Sequence, residues 1–406
     1  MASSSYINRV LQLIGRPSLI MRDYQRKVVE SYTEGKDVFV CAPTGSGKSL
    51  TYEVAPHCFD FHRFGHVREQ ATTVIIVVSP LIALMKEQVQ KLSERGLKAV
   101  YISDQKIDMT SIVEGRFNYV FGSPEAFLCQ HRSLLLSDTY QSRVGAIFVD
   151  ESHCIKKWGK EAQAGMKAFR QHYGQLGQLR SLLPAKVPVV TLTATATLGT
   201  RKVIIDDLCM KGCEVIIENP DKPNIKYNVI NTDDDLETVF MWLVDEIKLK
   251  QAETPRVIIF CRRRRHCSEL FELFSVKLGS HAFYQYEHKG QNDDRNRYFA
   301  MFHSKTDDVI KESIISSFQK PNGIVRVVFA TSAFSMGMDL KSVDQVIHFG
   351  PPSDVEGYLQ ETGRVGRDRT TQSSAILLLY KGDDDDIIQA YRSKRPQIFS
   401  DFSDDD

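Results

Sequence analysis

The segment Ala42 to Ser49 has the composition of a loop that holds phosphate groups. It reads APTGSGKS and follows the apolar run Val38 to Cys41. In such loops main-chain N–H groups point at phosphate oxygens, a lysine reaches the β- and γ-phosphates, and a hydroxyl reaches Mg²⁺. Ala42 stands where the strict pattern has glycine. The predicted nucleotide contacts are Pro43, Thr44, Gly45, Ser46, Gly47, Lys48 and Ser49, with Ser49 also a ligand of Mg²⁺.

Two carboxylates, Asp150 and Glu151, follow a second apolar run at Ala146 to Val149. Such a pair at the end of a strand often marks only the start of a helix. With the phosphate loop upstream, we expect Asp150 to join the Mg²⁺ shell and Glu151 to orient and deprotonate an attacking water. We expect the strand that carries them to run beside the phosphate loop.

Arg364 and Arg367 lie three residues apart in a helix-like stretch of the second half of the chain. If the stretch is helical, the two side chains share a face. They either cap that helix or supply positive charge to a nucleotide across a cleft, an effect worth about 10³ to 10⁵ in rate where it is known. A catalytic role for both arginines requires two domains that close on the nucleotide.

The composition is that of a globular protein with an intracellular location. Of its 406 residues 42% are hydrophobic and 25% charged, and the longest apolar runs are far shorter than the roughly 20 residues of a membrane span. The N-terminus shows no secretory signal, so we expect an intracellular protein, nuclear if the source is eukaryotic, with no membrane partner. The net charge of +1 means that a nucleic acid would have to be held by a local groove.

The eight cysteines show no paired metal-ligand spacing. They lie at positions 41, 58, 129, 154, 209, 213, 261 and 267. Two pairs, Cys209 with Cys213 and Cys261 with Cys267, have the residue type of metal ligands, but buried free thiols are the favoured interpretation. No zinc site is predicted.

Strand-like and helix-like segments alternate along the chain, which is typical of parallel sheets covered by helices on both faces. The alternation pauses at Asn219 to Asn224, where two prolines predict a linker. We therefore predict an α/β fold with a first domain at 1–218, a second at 219–392 and an acidic tail at 393–406. The strand predictions are 37–41, 73–79, 99–103, 119–122, 146–149, 187–193, 257–261, 300–303, 325–330, 345–349 and 375–380, with helices at 81–95 and 236–250.

Seven motifs in order closely resemble the RecQ family of superfamily 2 DNA helicases. They are RDYQ (22–25), APTGSGKS (42–49), SPLIALMKEQV (79–89), DESHCIKKWG (150–159), TLTATAT (191–197), ATSAFSMGMD (330–339) and GYLQETGRVGRD (357–368). The likeness covers about residues 15 to 392. It implies two tandem RecA-like domains, use of ATP and Mg²⁺, translocation from 3′ to 5′ on single-stranded or partially duplex DNA, and a place in DNA repair, recombination or replication.

The resemblance also assigns roles to individual residues. It implies adenine recognition by Arg22 and Gln25, contacts to the nucleotide cleft by Gly337 and Asp339, and a catalytic contribution of Gln360 beside Arg364 and Arg367. Coupling between nucleotide and DNA is implied for His153, Thr193 and Thr195. The implied DNA contacts are Ser79, Ser123, Trp158, Phe169, Arg170 and Thr331, with Trp158 in an aromatic-rich loop whose rings stack on bases.

The chain departs from the family in that aromatic-rich loop and at its end. Residues 160–167 replace a shorter family segment, and no cysteine follows Cys267, so we expect a helicase core without the family's zinc-binding and winged-helix segments. Two other functions stay open. One is an RNA or duplex translocase of the same superfamily, and the other is a nucleic-acid-binding scaffold that has lost turnover, which the intact Lys48 and Glu151 disfavour.

Overall fold

The computed structural model describes residues 2–102, 109–159, 170–284, 296–320, 322–335, 340, 343–366 and 372–380. The chain forms two compact units, Met1–Pro220 and Asp221–Asp406. Each unit has its own sheet and its own hydrophobic core. Among the described helices, none is both long enough and apolar enough to cross a membrane.

The first unit is built on a seven-stranded parallel sheet in the order β3-β4-β2-β5-β6-β1-β7. Its strands are β1 Val38–Cys41, β2 Val74–Val78, β3 Ala99–Tyr101, β4 Tyr119–Gly122, β5 Val144–Val149, β6 Val189–Thr193 and β7 Glu214–Ile217. The central strands are buried on both faces, as expected for a parallel sheet between helices.

Helices cover both faces of this sheet, and the sheet separates two layers of core. They are α1 Ala2–Leu13, α2 Asp23–Thr33, α3 Leu50–Glu53, α4 Ala55–Phe64, α5 Ile82–Ser93, α6 Met109–Val113, α7 Arg132–Leu135, α8 Asp138–Arg143, α9 Cys154–Gly159, α10 Leu179–Leu182 and α11 Leu198–Asp207. A π-helix spans Ala126–Gln130 and a 3₁₀-helix spans Gln171–Gln178. Side chains alternate along the strands, so Val38 and Val40 pack in one layer and Phe39 in the other.

The second unit has a six-stranded parallel sheet in the order β10-β11-β9-β12-β13-β8. Its strands are β8 Ile225–Thr232, β9 Val257–Cys261, β10 Phe299–Phe302, β11 Val327–Ala330, β12 Gln345–Phe349 and β13 Ser373–Tyr380. The helices of this unit are α12 Leu236–Lys250, α13 Arg264–Leu278, α14 Asp308–Gln319 and α15 Val355–Thr362, with 3₁₀ turns at Gln251–Glu253, Gly279–Ala282 and Ser332–Ser335.

Every strand predicted from the sequence is present to within a few residues, and two strands were missed. The first, β7, is only four residues long and lies at the edge of its sheet. The second, β8, is an edge strand whose residues are mostly exposed, so its sequence lacks the apolar run that marks a buried parallel strand. The segment after the phosphate loop is also interrupted at Val54, because Pro56 at the start of α4 has no N–H to continue the helix.

Candidate nucleotide site and nucleic-acid interface

Three neighbouring strands of the first sheet end at the candidate nucleotide site. The order β5-β6-β1 places the carboxyl ends of these parallel strands at one edge, and Cys41 at the end of β1 pairs with Thr193 at the end of β6. The prediction that the strand of Asp150 runs beside the phosphate loop was wrong, because β6 lies between them. Spacing along the chain does not give the order of strands in a sheet, so the intervening strand was not foreseen.

Two glycines of the phosphate loop have left-handed backbone conformations. Gly45 has φ +80° and Gly47 has φ +88°, values that side chains disfavour. The ammonium group of Lys48 donates to the main-chain oxygen of Ala42 at 2.6 Å and to that of Pro43 at 3.3 Å. Ala42 is fully buried in the core and is not among the residues with positive φ, so alanine fits the backbone where the strict pattern has glycine.

Helix α2 packs directly against this loop through Tyr24 and Gln25. The Tyr24 hydroxyl donates to the main-chain oxygen of Ser46 at 3.0 Å, and the Gln25 amide donates to that of Gly47 at 2.8 Å. The Gln25 amide oxygen accepts from the N–H of Arg22 at 2.8 Å. Gln25 is only 3% exposed. In this structure its amide therefore joins α2 to the loop, and a contact to adenine would require it to exchange those partners.

Asp150 and Glu151 form a carboxylate pair whose charge the chain balances only in part. Burial, and after it the neighbouring Glu151, raise the pKa of Asp150 from 3.8 to about 7, while Lys48 opposes the rise. Glu151 has a left-handed backbone with φ +49°, unusual for a residue with a side chain. Within the described part of the chain its buried Oε2 accepts no hydrogen bond. Strained backbones of this kind cluster at functional sites.

His153 joins this carboxylate pair to β6. Its Nδ1 lies 3.2 Å from the hydroxyl oxygen of Thr193 and 3.4 Å from Oε2 of Glu151. The Thr193 hydroxyl donates its one proton to the main-chain oxygen of Thr195 at 2.9 Å, so it must accept from His153. The network therefore assigns the proton to Nδ1 of His153. All three predicted coupling residues are in this one network.

Cys154 supports the same tautomer from the other side of the ring. Its sulfur lies 3.6 Å from Nε2 of His153. Burial, and then the charge of Glu151, raise the pKa of the Cys154 thiol well above its usual range, so the thiol stays protonated and can donate. The imidazole is thus oriented by a partner at each ring nitrogen.

The residues predicted to hold Mg²⁺ suit a hard divalent cation. Ser49 and Asp150 offer a hydroxyl and a carboxylate, and oxygen atoms are the ligands that Mg²⁺ prefers. The raised pKa of Asp150 shows that negative charge at this point is poorly compensated by the protein. A divalent cation there would offset it, so the donor set fits the cofactor.

Trp158 and Arg170 lie at the two ends of the aromatic-rich loop and contact each other. The Trp158 ring packs edge-on against Tyr173 at 5.6 Å, and the Arg170 guanidinium lies 5.8 Å from the Trp158 ring and 5.1 Å from Tyr173. Arg170 also binds both carboxylate oxygens of Glu125 and the main-chain oxygen of Pro80. In this structure both predicted DNA-binding side chains thus have partners within the first unit.

The other predicted DNA contacts lie at the ends of three strands. Ser79 follows β2, and within the described residues its buried hydroxyl has no hydrogen-bond partner. Ser123 follows β4, and its hydroxyl accepts from the N–H of Ala126 at the start of the π-helix. Thr331 follows β11 in the second unit, where its N–H donates to Phe302. The two serines share the carboxyl edge of the first sheet with the nucleotide site.

Gln360 and Arg364, predicted to serve catalysis, lie in the second unit. Gln360 lies on α15, and Arg364 follows the end of that helix and is 4% exposed. Four predicted site residues fall outside the described residues: Phe169, Gly337, Asp339 and Arg367. Two contacts were not predicted from the sequence. Glu125 binds Arg170, which lies 45 residues away, and Lys222 binds the loop around Arg364, which lies more than 100 residues away.

Two family models match the chain. The DEAD/DEAH box helicase model matches residues 22–204, and the model of the helicase conserved C-terminal domain matches residues 238–369. The first range contains the phosphate loop, the carboxylate pair and Thr193. The second contains Gln360 and Arg364.

Two curated relatives match most of the chain at about 30% identity. An ATP-dependent DNA helicase RecQ from Haemophilus influenzae is 31% identical over 382 residues, which are 93% of this chain and 54% of that protein. The RecQ-like DNA helicase BLM of Xenopus laevis is 30% identical over 370 residues, 88% of this chain and 24% of that protein. The chain thus spans about half the length of the first relative and a quarter of the second.

Solved structures share the fold. The helicase MrfA bound to DNA has a TM-score of 0.70 at 16% identity and covers 97% of this chain and 53% of its own. The DEAD-box helicase Mss116 bound to single-stranded RNA has a TM-score of 0.66 at 17% identity, with 92% and 73% coverage. The predicted α/β fold with two tandem RecA-like domains is therefore confirmed.

Proposed function

Because the chain belongs to the DEAD/DEAH box family of ATP-dependent helicases of superfamily 2, we propose that it is a DNA translocase. It would couple ATP hydrolysis to movement from 3′ to 5′ on single-stranded DNA and to unwinding of duplex DNA. One observation carries this proposal. Glu151 and Trp158 lie on one short segment, the turn after β5 and helix α9, so a shift of the ring on DNA would move the same segment that positions the carboxylate.

The hydrolytic role of the first unit rests on the polar groups that converge after β1, β5 and β6. Lys48 would exchange the carbonyl oxygens of Ala42 and Pro43 for phosphate oxygens, a stronger charge-assisted bond. Ser49 and Asp150 would hold Mg²⁺, which would neutralise negative charge on the phosphates. Glu151 would accept a proton from the attacking water at Oε2, the atom that accepts no hydrogen bond within the described residues.

The second unit would supply positive charge to the transition state. We assign this role to Arg364, with Arg367 and Gln360 as further contributors, because arginine is always charged and presents a planar set of donors to phosphate. Arg364 belongs to the range that the helicase C-terminal model matches. The contribution of such an arginine is about 10³- to 10⁵-fold in rate.

DNA is favoured over RNA by the names of the curated relatives. Both relatives described above are DNA helicases, whereas the structures of similar fold include an RNA-bound helicase. We infer single-stranded and partially duplex DNA as the partner. Stacking of bases on an aromatic ring such as Trp158 would give affinity without sequence preference.

The test is steady-state ATP hydrolysis with and without single-stranded DNA and single-stranded RNA of equal length. Strong stimulation by DNA and weak stimulation by RNA is expected. The reverse order would make the chain an RNA translocase, and an absence of hydrolysis under all conditions would make it a binding scaffold.

Direction is measured separately, with labelled duplexes that carry a 3′ or a 5′ single-stranded tail. The expected result is ATP-dependent release of the strand from the 3′-tailed duplex only. Release from the 5′-tailed duplex alone would reverse the proposed polarity.

A further inference from the structure

The segment that opens the second unit is buried against the loop that carries Arg364. Its residues alternate in exposure, with Lys222 and Asn224 each 4% exposed and Asp221 and Pro223 exposed. Lysine is rarely buried to this extent unless it is paired, because removing an ammonium group from water is costly. The sequence predicts only a linker here, whereas two polar side chains of the segment are buried in the structure.

Lys222 binds the main-chain oxygen atoms on both sides of Arg364. Its ammonium group donates to Gly363 at 3.0 Å and to Val365 at 3.3 Å. Gly363 is the residue at the C-terminal end of α15, where helix carbonyl groups lack partners within the helix and carry negative partial charge. A cation at this point stabilises the end of the helix and fixes the two peptide groups that flank Arg364.

Asn224 holds the next residues of the same loop. Its side-chain amide donates to the main-chain oxygen of Gly366 at 3.2 Å, and its own main-chain oxygen accepts from Ser373 at the start of β13. Gly366 has φ +60°, and a side-chain carbon there would lie 2.6 Å from the Asn224 amide. The side chain of Asn224 can approach the loop this closely only because residue 366 is glycine.

The core holds the loop from its other side. Val365 is completely buried in the core layer that also contains Ile225, the first residue of β8. The loop is therefore fixed by two hydrogen-bonding side chains and by an apolar anchor. Arg364 lies between these contacts, so the main chain from which its side chain extends is held on both sides.

We propose that Lys222 and Asn224 are positioning residues for Arg364. They do not touch the nucleotide in this scheme, and they act by fixing the main chain from which Arg364 extends. The inference rests on the proposed function, since it assigns these residues to the arginine that serves ATP hydrolysis. It predicts that their loss lowers the turnover number and leaves nucleotide binding to the first unit unchanged.

The test compares Lys222→Met with Lys226→Met in ATP hydrolysis stimulated by single-stranded DNA. Methionine keeps the apolar stem and removes the donors, and Lys226 is an exposed lysine four residues away on β8, so it is a matched control. For Lys222→Met we expect kcat to fall about 10- to 100-fold, the loss associated with misplacement of a catalytic group by about 1 Å, with KM for ATP within about 3-fold. Lys226→Met should match the native chain, and Lys222→Arg should recover part of the loss.

A double-variant cycle with Arg364→Ala separates positioning from general damage. If Lys222 acts through Arg364, adding Lys222→Met to Arg364→Ala should cause less than about a 3-fold further loss, because residues that act as a unit are not additive. A full additional loss would show that Lys222 acts elsewhere and would overturn the proposal. Asn224→Ala, measured in the same cycle, replaces Lys222→Met if circular dichroism shows that the methionine variant does not fold.

The outcomes for the two proposals differ. If the native chain hydrolyses ATP and both Lys222→Met and Asn224→Ala have the same kcat as the native chain, only the positioning role is overturned. A native chain without ATP hydrolysis would overturn the proposed function and the positioning role with it.

Discussion

The Nδ1 atom of His153 lies 3.2 Å from the hydroxyl oxygen of Thr193. This hydrogen bond crosses from the segment that carries the carboxylate pair to the strand that separates that segment from the phosphate loop. The same nitrogen lies 3.4 Å from Oε2 of Glu151. A displacement of Thr193 or Thr195 would therefore be transmitted through the His153 ring to Glu151, the proposed base.

Thr193→Val should uncouple DNA binding from hydrolysis. Valine keeps the branched shape and loses the hydroxyl that accepts from His153 and donates to Thr195. We expect DNA-stimulated hydrolysis to fall at least about 10-fold, the order expected when about 1.4 kcal/mol of transition-state stabilisation is lost, with ATP binding unchanged. Thr191→Val is the control, because the buried hydroxyl of Thr191 on the same strand has no hydrogen-bond partner among the described residues. Equal rates in the native chain and Thr193→Val would refute the coupling role.

Glu151→Gln should abolish turnover while ATP still binds. The amide keeps the size of the side chain but cannot accept the proton of the attacking water, and general base catalysis is worth about 10²- to 10⁴-fold. Steady-state hydrolysis and the affinity for a fluorescent ATP analogue are the two measurements. If the variant retained most of its turnover, Glu151 would be excluded as the base.

Trp158→Ala should remove stimulation by single-stranded DNA and spare the basal rate of hydrolysis. Loss of one stacking ring costs about 1 to 3 kcal/mol of nucleic-acid binding. Because Trp158 also packs on Tyr173, Trp158→Phe is needed as a variant that preserves most of the packing and should retain part of the stimulation. Trp242, the other tryptophan, is 44% exposed on α12, and Trp242→Ala should leave DNA stimulation intact. If single-stranded DNA still stimulated hydrolysis by the Trp158→Ala variant, the Trp158 ring would have only a packing role.

Arg170 and Glu125 should show energetic coupling in a double-variant cycle of thermal stability. The guanidinium binds both oxygens of the carboxylate in a partly buried position, so a coupling free energy of about 1 kcal/mol is expected for Arg170→Ala and Glu125→Ala. The DNA affinity of each variant is measured in parallel. Zero coupling together with weaker DNA binding by Arg170→Ala alone would make Arg170 a direct DNA contact.

Asp150→Asn should stabilise the nucleotide-free chain near neutral pH in the absence of divalent cations. Because burial and Glu151 raise the pKa of Asp150 from 3.8 to about 7, the folded chain retains a proton between these values that the unfolded chain has released. The free energy of unfolding of the native chain therefore falls as pH rises from about 4 to about 7, by on the order of 1 to 4 kcal/mol.

Asparagine does not ionise, so the free energy of unfolding of the variant should lack this decline between pH 4 and pH 7. Melting temperatures at pH 5 and pH 8 in the presence of a chelator test the prediction. A native chain and a variant with the same dependence on pH would show that Asp150 ionises at its ordinary pKa.

Local patterns determined much of this protein. The strand, glycine turn, lysine and serine at 38–49 and the carboxylates after an apolar run predict the two parts of the candidate nucleotide site, because alternating burial and turn chemistry act over a few residues. Strands such as β9 and β12 were predicted residue for residue.

Contacts between residues that are distant in the sequence depend on how the whole chain packs. The insertion of β6 between β1 and β5, the partners of Arg170, the occupied amide of Gln25 and the burial of Lys222 against the loop of Arg364 each join residues separated by 20 to more than 100 positions. Strand order and side-chain pairing depend on how all the helices and strands pack together in the core. The spacing of residues along the sequence does not determine that packing.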